Sequence, residues 1–262
     1  ASIGCAEEGW ITIDTANSGY RKGGSGEVVG YSAPKRTYKA LELQLDRAWD
    51  EKWLFNASYL WSRSEGNFEG PVNSDTGYGD TGMVQHWDHP ANNERYGVLF
   101  NDFRHQFKFR AAYALNAQWS FGTTLQVQSG GPITAFGVMW PNDTTAGGST
   151  TNESGGGGTG WLCVANCTGP VGQRVFEPTA RGAFGRLPWT WTMGANVTWR
   201  LPVDGIDLSA RLSVYNLFNN QTVINVHQRY EAQPGVYREA TFATGTRWQA
   251  PRYAQLMVTW NF

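Results

Sequence analysis

The last nine residues of the chain carry an apolar side chain at every second position. They read AQLMVTWNF, and the apolar positions are Ala254, Leu256, Val258, Trp260 and Phe262. Because successive side chains of a β-strand point to opposite faces, this segment predicts a strand with one wholly apolar face. A strand that shows such a face and ends on an aromatic residue is typical of a sheet exposed to lipid on that side.

The same period of two residues recurs along most of the chain, and no segment shows the 3.6-residue period of a helix. Three hairpins are predicted, joining residues 39–49 to 53–61, 105–115 to 119–127, and 191–201 to 206–214. Each strand has an apolar face and a polar or small one. We expect Glu42, Gln126 and Arg211 on the polar face. The residues expected on the lipid face are Leu41, Leu43, Phe55, Phe107, Phe121, Val197, Leu208, Leu212 and Val258.

Alternation fits a membrane barrel and also a soluble β-sandwich, in which one face of each sheet is buried. The tryptophan spacing favours the membrane. Trp53 and Trp61 are eight positions apart, which is roughly 26 Å along a strand and roughly 20 Å along the membrane normal after tilting. The apolar band between aromatic girdles is about 25 Å tall. The predicted girdle comprises Trp49, Trp53, Trp61, Trp119, Trp191, Trp199 and Trp260. A secreted soluble sandwich that binds glycans stays open as an alternative.

Composition limits the other ways in which this chain could meet a membrane or a nucleic acid. Charged residues make up only 16% of the 262 positions, yet no run reaches the roughly 18 apolar residues that a transmembrane helix needs. Any span must therefore consist of strands. Lysine and arginine number 21 against 22 acidic residues, a net charge of -1. Without a basic run, nucleic acid is not expected as a partner.

The connections between the predicted strands alternate between short and long. Short turns follow Trp49, Leu115 and Leu201, and the long connections span about 62–104, 128–188 and 219–252. Short periplasmic turns and long extracellular loops are the pattern of outer-membrane barrels. We therefore expect a barrel segment over 38–262, preceded at 1–37 by an extracellular loop or a weak strand. The segment contains seven predicted strands, whereas a complete single-chain barrel normally has an even number. The remaining strands are thus expected on a missing N-terminal part or another chain.

Two cysteines are close in sequence within a glycine-rich polar stretch. Cys163 and Cys167 are predicted to form a disulfide in an extracellular loop, as an oxidising compartment permits. Cys5 is left over and suggests a partner outside this segment. Trp140 and Trp161 lie in the same long connection. They are candidate contact residues of a loop that binds a ligand or a partner protein.

Metal and catalytic chemistry are weakly represented. His86, Asp88 and His89 are the only clustered residues of ligand type, whereas a zinc or copper site needs three or four ligands held by a second layer of hydrogen bonds. No nucleophile and base are placed together by spacing. We predict no metal, no cofactor and no enzymatic activity. Asn216 and Asn219 are expected to shape the end of their strand through local side-chain to backbone bonds.

Several motifs resemble the late barrel strands of TonB-dependent outer-membrane receptors, especially the Oar-like branch. They occur in the same order as in that branch and cover most of the chain from Tyr38 onward. They are YKALELQLDR at 38–47, WLFNASYLWS at 53–62, GNFEG at 66–70, NDFRHQFK at 101–108, SGGP at 129–132, the "NLFN" box within 214–219, and APRY at 250–253.

The resemblance implies an all-β, antiparallel transmembrane β-barrel in the outer membrane of a Gram-negative bacterium. This chain would supply the C-terminal seven or eight strands of a barrel of roughly 22 strands. Partners implied are outer-membrane lipid, a plug domain, the TonB complex reached through the missing part, and other outer-membrane subunits. Import of a scarce nutrient is the expected function. The alternative is a surface scaffold, adhesin or assembly component that does not transport.

The terminal strand also carries an expected assembly signal. Assembly machinery of the outer membrane reads a final aromatic residue preceded by apolar residues at alternate positions, which here are Leu256, Val258, Trp260 and Phe262. We expect removal of Phe262 to impair assembly more than it alters the finished fold.

Overall fold

The computed structural model describes residues 11–14, 19–22, 28–30, 35–67, 96–138, 161–170, 173–203, 205–233 and 235–261. All regular elements in these ranges are strands, and no helix found there could cross a membrane. The strands are β1 Ile11–Asp14, β2 Gly19–Lys22, β3 Val28–Gly30, β4 Arg36–Arg47, β5 Trp53–Gly66, β6 Gly97–Val98, β7 His105–Ala114, β8 Trp119–Gln128, β9 Trp161–Ala165, β10 Val175–Pro178, β11 Thr190–Arg200, β12 Asp207–Tyr215, β13 Val223–Val226, β14 Glu231–Gln233, β15 Val236–Tyr237, β16 Gly245–Trp248 and β17 Tyr253–Asn261.

Seven long strands form one antiparallel sheet in the order β17, β12, β11, β8, β7, β5 and β4, and the short β6 pairs with the end of β5. The predicted hairpins β4–β5, β7–β8 and β11–β12 are confirmed. The sheet is open. Within the described residues, β4 and β17 each pair with a single neighbour.

The register places most of the large apolar side chains of the seven strands on one face. Leu45 lies opposite Ala57, which lies opposite Phe109, and the row continues through Leu125 to Met193. All nine residues predicted for this face belong to it, and Glu42, Gln126 and Arg211 belong to the polar face. In the described part of the chain no second sheet covers the apolar face, which a sandwich would require. This exposed apolar face favours the membrane barrel over the soluble sandwich.

The two ends of the sheet differ in their connections and in their tryptophans. We call the end with the short connections the turn end and the opposite one the loop end. The turn end carries Trp49, Trp53, Trp119, Trp199 and Trp260, whereas Trp61 and Trp191 lie toward the loop end. The guanidinium of Arg47 lies 4.0 Å from the Trp53 ring centroid. The assignment of these tryptophans to membrane girdles stays a prediction.

Two details refine the sequence-based expectations. Residues 11–14 do form a strand, but it pairs within a separate sheet with β2 and β3 and adds no eighth strand to the main sheet. Strand β5 continues to Gly66 rather than ending near Trp61, because residues 62–66 pair with 36–40 of β4. The long connections also contain paired short strands, β9 with β10, β13 with β16, and β14 with β15.

The end of β12 is shaped by two asparagines, as predicted. Asn216 and Asn219 have φ angles of 49° and 54°, in the left-handed region that asparagine tolerates better than most residues. The Asn216 amide donates to the backbone oxygens of Asn220 and Ala250, both at 2.8 Å, and its Oδ1 accepts from the Asn220 amide at 3.0 Å. These bonds turn the chain and hold it against the segment that enters β17.

The buried apolar residues lie in the connections at the loop end rather than in the sheet. We call the described residues within 96–104, 129–138, 161–188 and 226–248 the loop layer. The buried hydrophobic residues of this layer are Leu99, Ile133, Ala135, Phe136, Val138, Trp161, Leu162, Cys163 and Val226. The loop layer is thus a packed structure with its own core.

Candidate binding site in the loop layer

One carboxylate joins three segments of the loop layer. Glu231 is 0% exposed at the start of β14. Its Oε2 accepts from the amide of Val138 at 3.0 Å, and its Oε1 accepts from the amides of Cys163 at 2.9 Å and Gly235 at 3.2 Å. Hydrogen bonds to a charged acceptor are each worth roughly 1.5–3 kcal/mol. Glu231 therefore fixes the relative positions of these segments.

The predicted disulfide lies beside this carboxylate. Cys163 and Cys167 are bonded, with their Cα atoms 5.7 Å apart. The hydroxyl of Tyr237 donates to the backbone oxygen of Cys163 at 2.8 Å. Gly235 has a φ of +71°, and a Cβ there would lie 2.8 Å from the Cys167 sulfur. Only glycine fits this close approach, so the small ring and the β14–β15 turn hold each other in place.

Four aromatic side chains form a cluster above these bonds. The ring centroid of Tyr230 lies 4.9 Å from Phe242 and 5.0 Å from Tyr237, and Phe184 lies 5.5 Å from Phe242. Phe184 is 41% exposed and Tyr237 is 37% exposed. We call Phe184, Tyr230, Tyr237 and Phe242 the aromatic cluster. Its open faces can stack on a flat or apolar group.

Two titratable side chains of the loop layer have shifted pKa values. Burial raises the pKa of Tyr237, and the negative charge of Glu231 adds to the effect. Burial also lowers the pKa of Arg229, with a further contribution from the positive charge of Arg238.

A second carboxylate anchors the loop layer to the sheet. Asp102 is fully buried, and its Oδ1 accepts from the amide of Ser64 in β5 at 2.7 Å. Its Oδ2 forms ion pairs with Arg186 and with Arg104, the latter at 3.2 Å. Arg186 also donates to the backbone oxygens of Asp102 at 2.8 Å and Gly130 at 3.1 Å. Asp102 and Arg186 consequently join the loop layer to strand β5 of the sheet.

The predicted contact residues are only partly placed in this site. Trp161 is 9% exposed and packs inside the loop layer, so the accessible aromatic surface is offered by Phe184 and Tyr237 instead. Trp140, Cys5, Phe262 and the residues His86, Asp88 and His89 lie outside the described residues. The described part of the chain contains no group of three His, Cys, Asp or Glu side chains that could hold a metal.

Three residues of the expected assembly signal lie within the described part of the chain. Leu256, Val258 and Trp260 lie on the apolar face of β17, at the open edge of the sheet. Their role in assembly stays a prediction.

Sequence reasoning missed Glu231, Asp102 and the four residues of the aromatic cluster. One signal for them was present, since residues 129–138 read SGGPITAFGV and are buried throughout. An apolar stretch in a connection indicates that other loop residues must cover it.

Residues 20–255 match the family model described as "Outer membrane beta barrel domain". The chain belongs to this family. Its place is accordingly the outer membrane of a Gram-negative bacterium, and the resemblance carried by the motifs is confirmed. The chain is also similar to the TonB-dependent transporter Oar of Myxococcus xanthus, with 32% identity over 216 residues. That alignment covers 79% of this chain and 17% of the transporter.

Solved structures with a similar course of chain include those of FpvA, FecA and Fiu. A P. aeruginosa FpvA complex with a pyoverdine and iron has 13% identity and a TM-score of 0.46, covering 89% of this chain and 20% of FpvA. The ferric citrate transporter FecA has 16% identity and a TM-score of 0.41, covering 86% and 24%. The ferric-catecholate import receptor Fiu from E. coli K12 has 13% identity and a TM-score of 0.44, covering 96% and 23%. The chain spans less than a quarter of each of these proteins.

Proposed function

We propose that this chain forms part of the wall of a TonB-dependent transporter that imports a scarce nutrient. The observation that carries the proposal is the apolar face, which continues across all seven strands to long edges on β4 and β17, each of which has one partner strand among the described residues. Soluble proteins avoid long, flat, apolar edges because such edges aggregate. A sheet of this kind is suited to continue into further strands that close a barrel in lipid.

We infer the orientation of the sheet in the membrane from its connections. The turn end faces the periplasm and the loop end faces the exterior, because short turns and long loops are distributed in this way in outer-membrane barrels. The loop layer then lies outside the cell, where the exposed parts of Phe184 and Tyr237 can meet a solute. The disulfide Cys163–Cys167 suits that oxidising location.

The wall requires partners beyond this chain. The proposed partners are the strands that complete the barrel, a plug that fills its lumen, and the TonB complex that supplies energy through the plug. The similarity to a TonB-dependent transporter over most of the chain supports this assignment. We propose neither a catalytic step nor a cofactor for this protein.

Cysteine labelling tests the orientation. Glu239 is exposed in the loop layer, and Ala117 lies in the short turn between β7 and β8. In the full-length protein, a membrane-impermeant maleimide should label Glu239→Cys in intact cells. It should label Ala117→Cys only after the outer membrane is permeabilised. Labelling of both positions in intact cells would contradict the orientation.

A genetic comparison tests transport. Cells that lack the gene are complemented with the full-length gene or with the same gene lacking its TonB box, and growth on limiting nutrients is measured. We expect the intact gene alone to restore growth. Equal rescue by both genes would reject TonB-dependent import.

The rigid loop layer favours one competing function. A surface with its own core and two buried carboxylate anchors also suits a scaffold or adhesin that never transports. In that case the TonB-box deletion leaves cell attachment and growth unchanged, while loss of the whole protein impairs attachment. The same pair of strains therefore separates the two functions.

A further inference from the structure

Two cations lie directly opposite each other on the lipid face, where β4 and β5 reach the loop end. The register pairs Lys39 of β4 with Arg63 of β5, and both residues are exposed. The neighbouring pair of this face toward the turn end is Leu41 with Trp61. A step of two residues is roughly 7 Å along a strand and roughly 5 Å along the membrane normal after tilting. Lys39 and Arg63 therefore lie just beyond the apolar band, at the height of lipid headgroups.

The packing of β5 fixes the direction in which Arg63 points. Its neighbours Ser62 and Ser64 are 2% and 1% exposed beneath the loop layer. The Ser62 hydroxyl donates to the backbone oxygen of Phe103 at 3.1 Å, and the Ser64 amide donates to Oδ1 of Asp102 at 2.7 Å. Because successive side chains of a strand point to opposite faces, Arg63 points away from the loop layer. It lies on the outer face of the barrel wall, which a plug in the lumen does not cover.

The charge of this pair is only partly neutralised. Arg63 forms an ion pair with Glu65, whose side chain is 24% exposed. Within the described residues, the ammonium of Lys39 has neither an ion-pair partner nor a hydrogen-bond partner. Like charges directly opposite each other destabilise a pair of strands. The two cations and the single carboxylate thus leave a net positive charge that an anion from outside the chain can neutralise.

The cation of the same face at the turn end is neutralised within the chain. Arg47 forms an ion pair with Asp50, and its guanidinium lies over the ring of Trp53. The turn itself adds one exposed acid and one exposed base, Glu51 and Lys52. Of the two ends of this hairpin, only the loop end therefore offers an excess of positive charge.

We propose that Lys39 and Arg63 bind the phosphorylated headgroup of a lipid in the outer leaflet. A guanidinium can donate two parallel hydrogen bonds to a phosphate, and an ammonium adds a compact positive charge. Directly opposite residues have Cβ atoms about 5 Å apart, so both side chains can reach one phosphate. The acyl chains of the lipid then cover Leu41 and Leu43, which are 57% and 58% exposed. This apolar surface directly below the cations favours a lipid over a free phosphate.

The test uses the full-length protein in detergent and measures the binding of three probes by native mass spectrometry. Diphosphoryl lipid A has acyl chains and a phosphorylated headgroup, phosphatidylcholine has acyl chains and no net charge, and glucosamine 6-phosphate has a phosphate and no acyl chain. We expect diphosphoryl lipid A to bind at least tenfold more tightly than either of the others. Equal affinity for phosphatidylcholine overturns recognition by charge, and equal affinity for glucosamine 6-phosphate overturns the choice of a lipid.

Paired substitutions locate the site. Lys39→Gln combined with Arg63→Gln should weaken binding of diphosphoryl lipid A at least tenfold and leave phosphatidylcholine within twofold, which shows that the apolar surface is intact. Lys39→Arg combined with Arg63→Lys keeps both charges and should stay within threefold of wild type. Arg47→Gln combined with Lys52→Gln removes the same charge from the turn end of this hairpin and should change binding less than twofold. Equal losses in the two glutamine pairs overturn the proposal.

The inference goes beyond import and rests on the proposed orientation, which places the loop end in the outer leaflet. Binding in detergent depends neither on that orientation nor on energy transduction, so the two can fail separately. The expected maleimide labelling without specific binding of lipid A rejects the site and retains the orientation. Specific binding together with labelling of Ala117→Cys in intact cells retains the headgroup site and overturns its assignment to the outer leaflet.

Discussion

The sheet and the loop layer of this protein are stabilised in opposite ways. The sheet presents its large apolar side chains outward, and several of the leucines on β4 are more than half exposed. The loop layer buries its apolar residues and surrounds two buried carboxylates, Glu231 and Asp102, with backbone amides and arginines. The sheet consequently depends on lipid as its solvent, while the loop layer has a core of its own.

This difference implies that a substitution can disrupt the sheet or the loop layer separately. A change on the lipid face should prevent insertion of the whole barrel. A change in the loop layer should loosen the outer surface and leave the barrel in the membrane.

The largest effect is expected from a charge on the lipid face. Leu45 lies on the apolar face, midway between the rows of Trp53 and Trp61, and its neighbour Gln44 lies on the polar face, where its amide donates to Asp46 at 2.5 Å. Leu45→Arg in the full-length gene should cost about 2–4 kcal/mol, because arginine would face the middle of the bilayer. Most of the heat-modifiable barrel should disappear from the outer-membrane fraction. The matched variant Gln44→Arg should retain it, and equal losses would contradict the assignment of faces.

A neutral substitution of the buried carboxylate should open the loop layer alone. In Glu231→Gln, a neutral amide replaces the charged acceptor of three backbone N–H groups, which should cost about 3 kcal/mol. Hydrogen exchange at the amides of Val138, Cys163 and Gly235 should accelerate about a hundredfold. The amount of barrel in the outer membrane should stay unchanged.

Glu239→Gln, at an exposed position of the same layer, is the control and should leave exchange within threefold of wild type. Unchanged exchange in Glu231→Gln would show that the carboxylate is not the organising group.

The sheet could be predicted from the sequence because its signal is local. Alternation along each strand identified the lipid face, and the turn around Asp50 fixed one hairpin. The carboxylate of Asp50 accepts from the backbone amides of Lys52 and Trp53, and these bonds, chiefly the one from Trp53, lower its pKa. The disulfide was also predictable, since only four positions separate its cysteines.

The loop layer could not be predicted because its contacts join distant positions. Glu231 bonds amides that are 68 and 93 positions away, and Arg186 reaches Asp102 across 84 positions. Such pairs leave no period in a single sequence, and a buried acid looks like any other polar loop residue until its partners are known. The same reason explains why Trp161 was expected at the surface, although the segments that cover it come from elsewhere in the chain.

Loss of the disulfide should loosen the loop layer less than loss of the Glu231 charge. Closing so short a ring stabilises the folded state by about 2 kcal/mol in the chain-entropy description. Cys163→Ala combined with Cys167→Ala should therefore accelerate exchange in β9 and β10 roughly 30-fold. Reduction of the wild-type protein should reproduce this change, and reductant should have no effect on the double variant. Free thiols at both positions in non-reduced peptide mapping of the native protein would contradict the pairing.

The smallest effect is expected at alkaline pH and concerns Tyr237. Its pKa is raised above the ordinary value of 10.0, first by burial and then by the charge of Glu231. A group whose pKa is raised in the folded state contributes stability that is complete below the unfolded value, near pH 10, and is lost as the pH rises through the folded value. The phenolate can also no longer donate to the oxygen of Cys163. Reduction of the disulfide by a phosphine should therefore accelerate above about pH 10.

Tyr237→Phe removes the hydrogen bond to the backbone oxygen of Cys163, which should weaken the attachment of β15 to β9 by about 1 kcal/mol at neutral pH. The alkaline acceleration of disulfide reduction should also disappear. Tyr38→Phe, on β4 of the sheet, should leave that acceleration in place, because Tyr38 takes no part in holding the small ring. The difference absorbance at 295 nm between wild type and Tyr237→Phe reports the titration of this tyrosine directly. A titration at or below pH 10 would show that the aromatic cluster opens to water, and the loop layer would then lack the rigid surface on which its separation from the sheet depends.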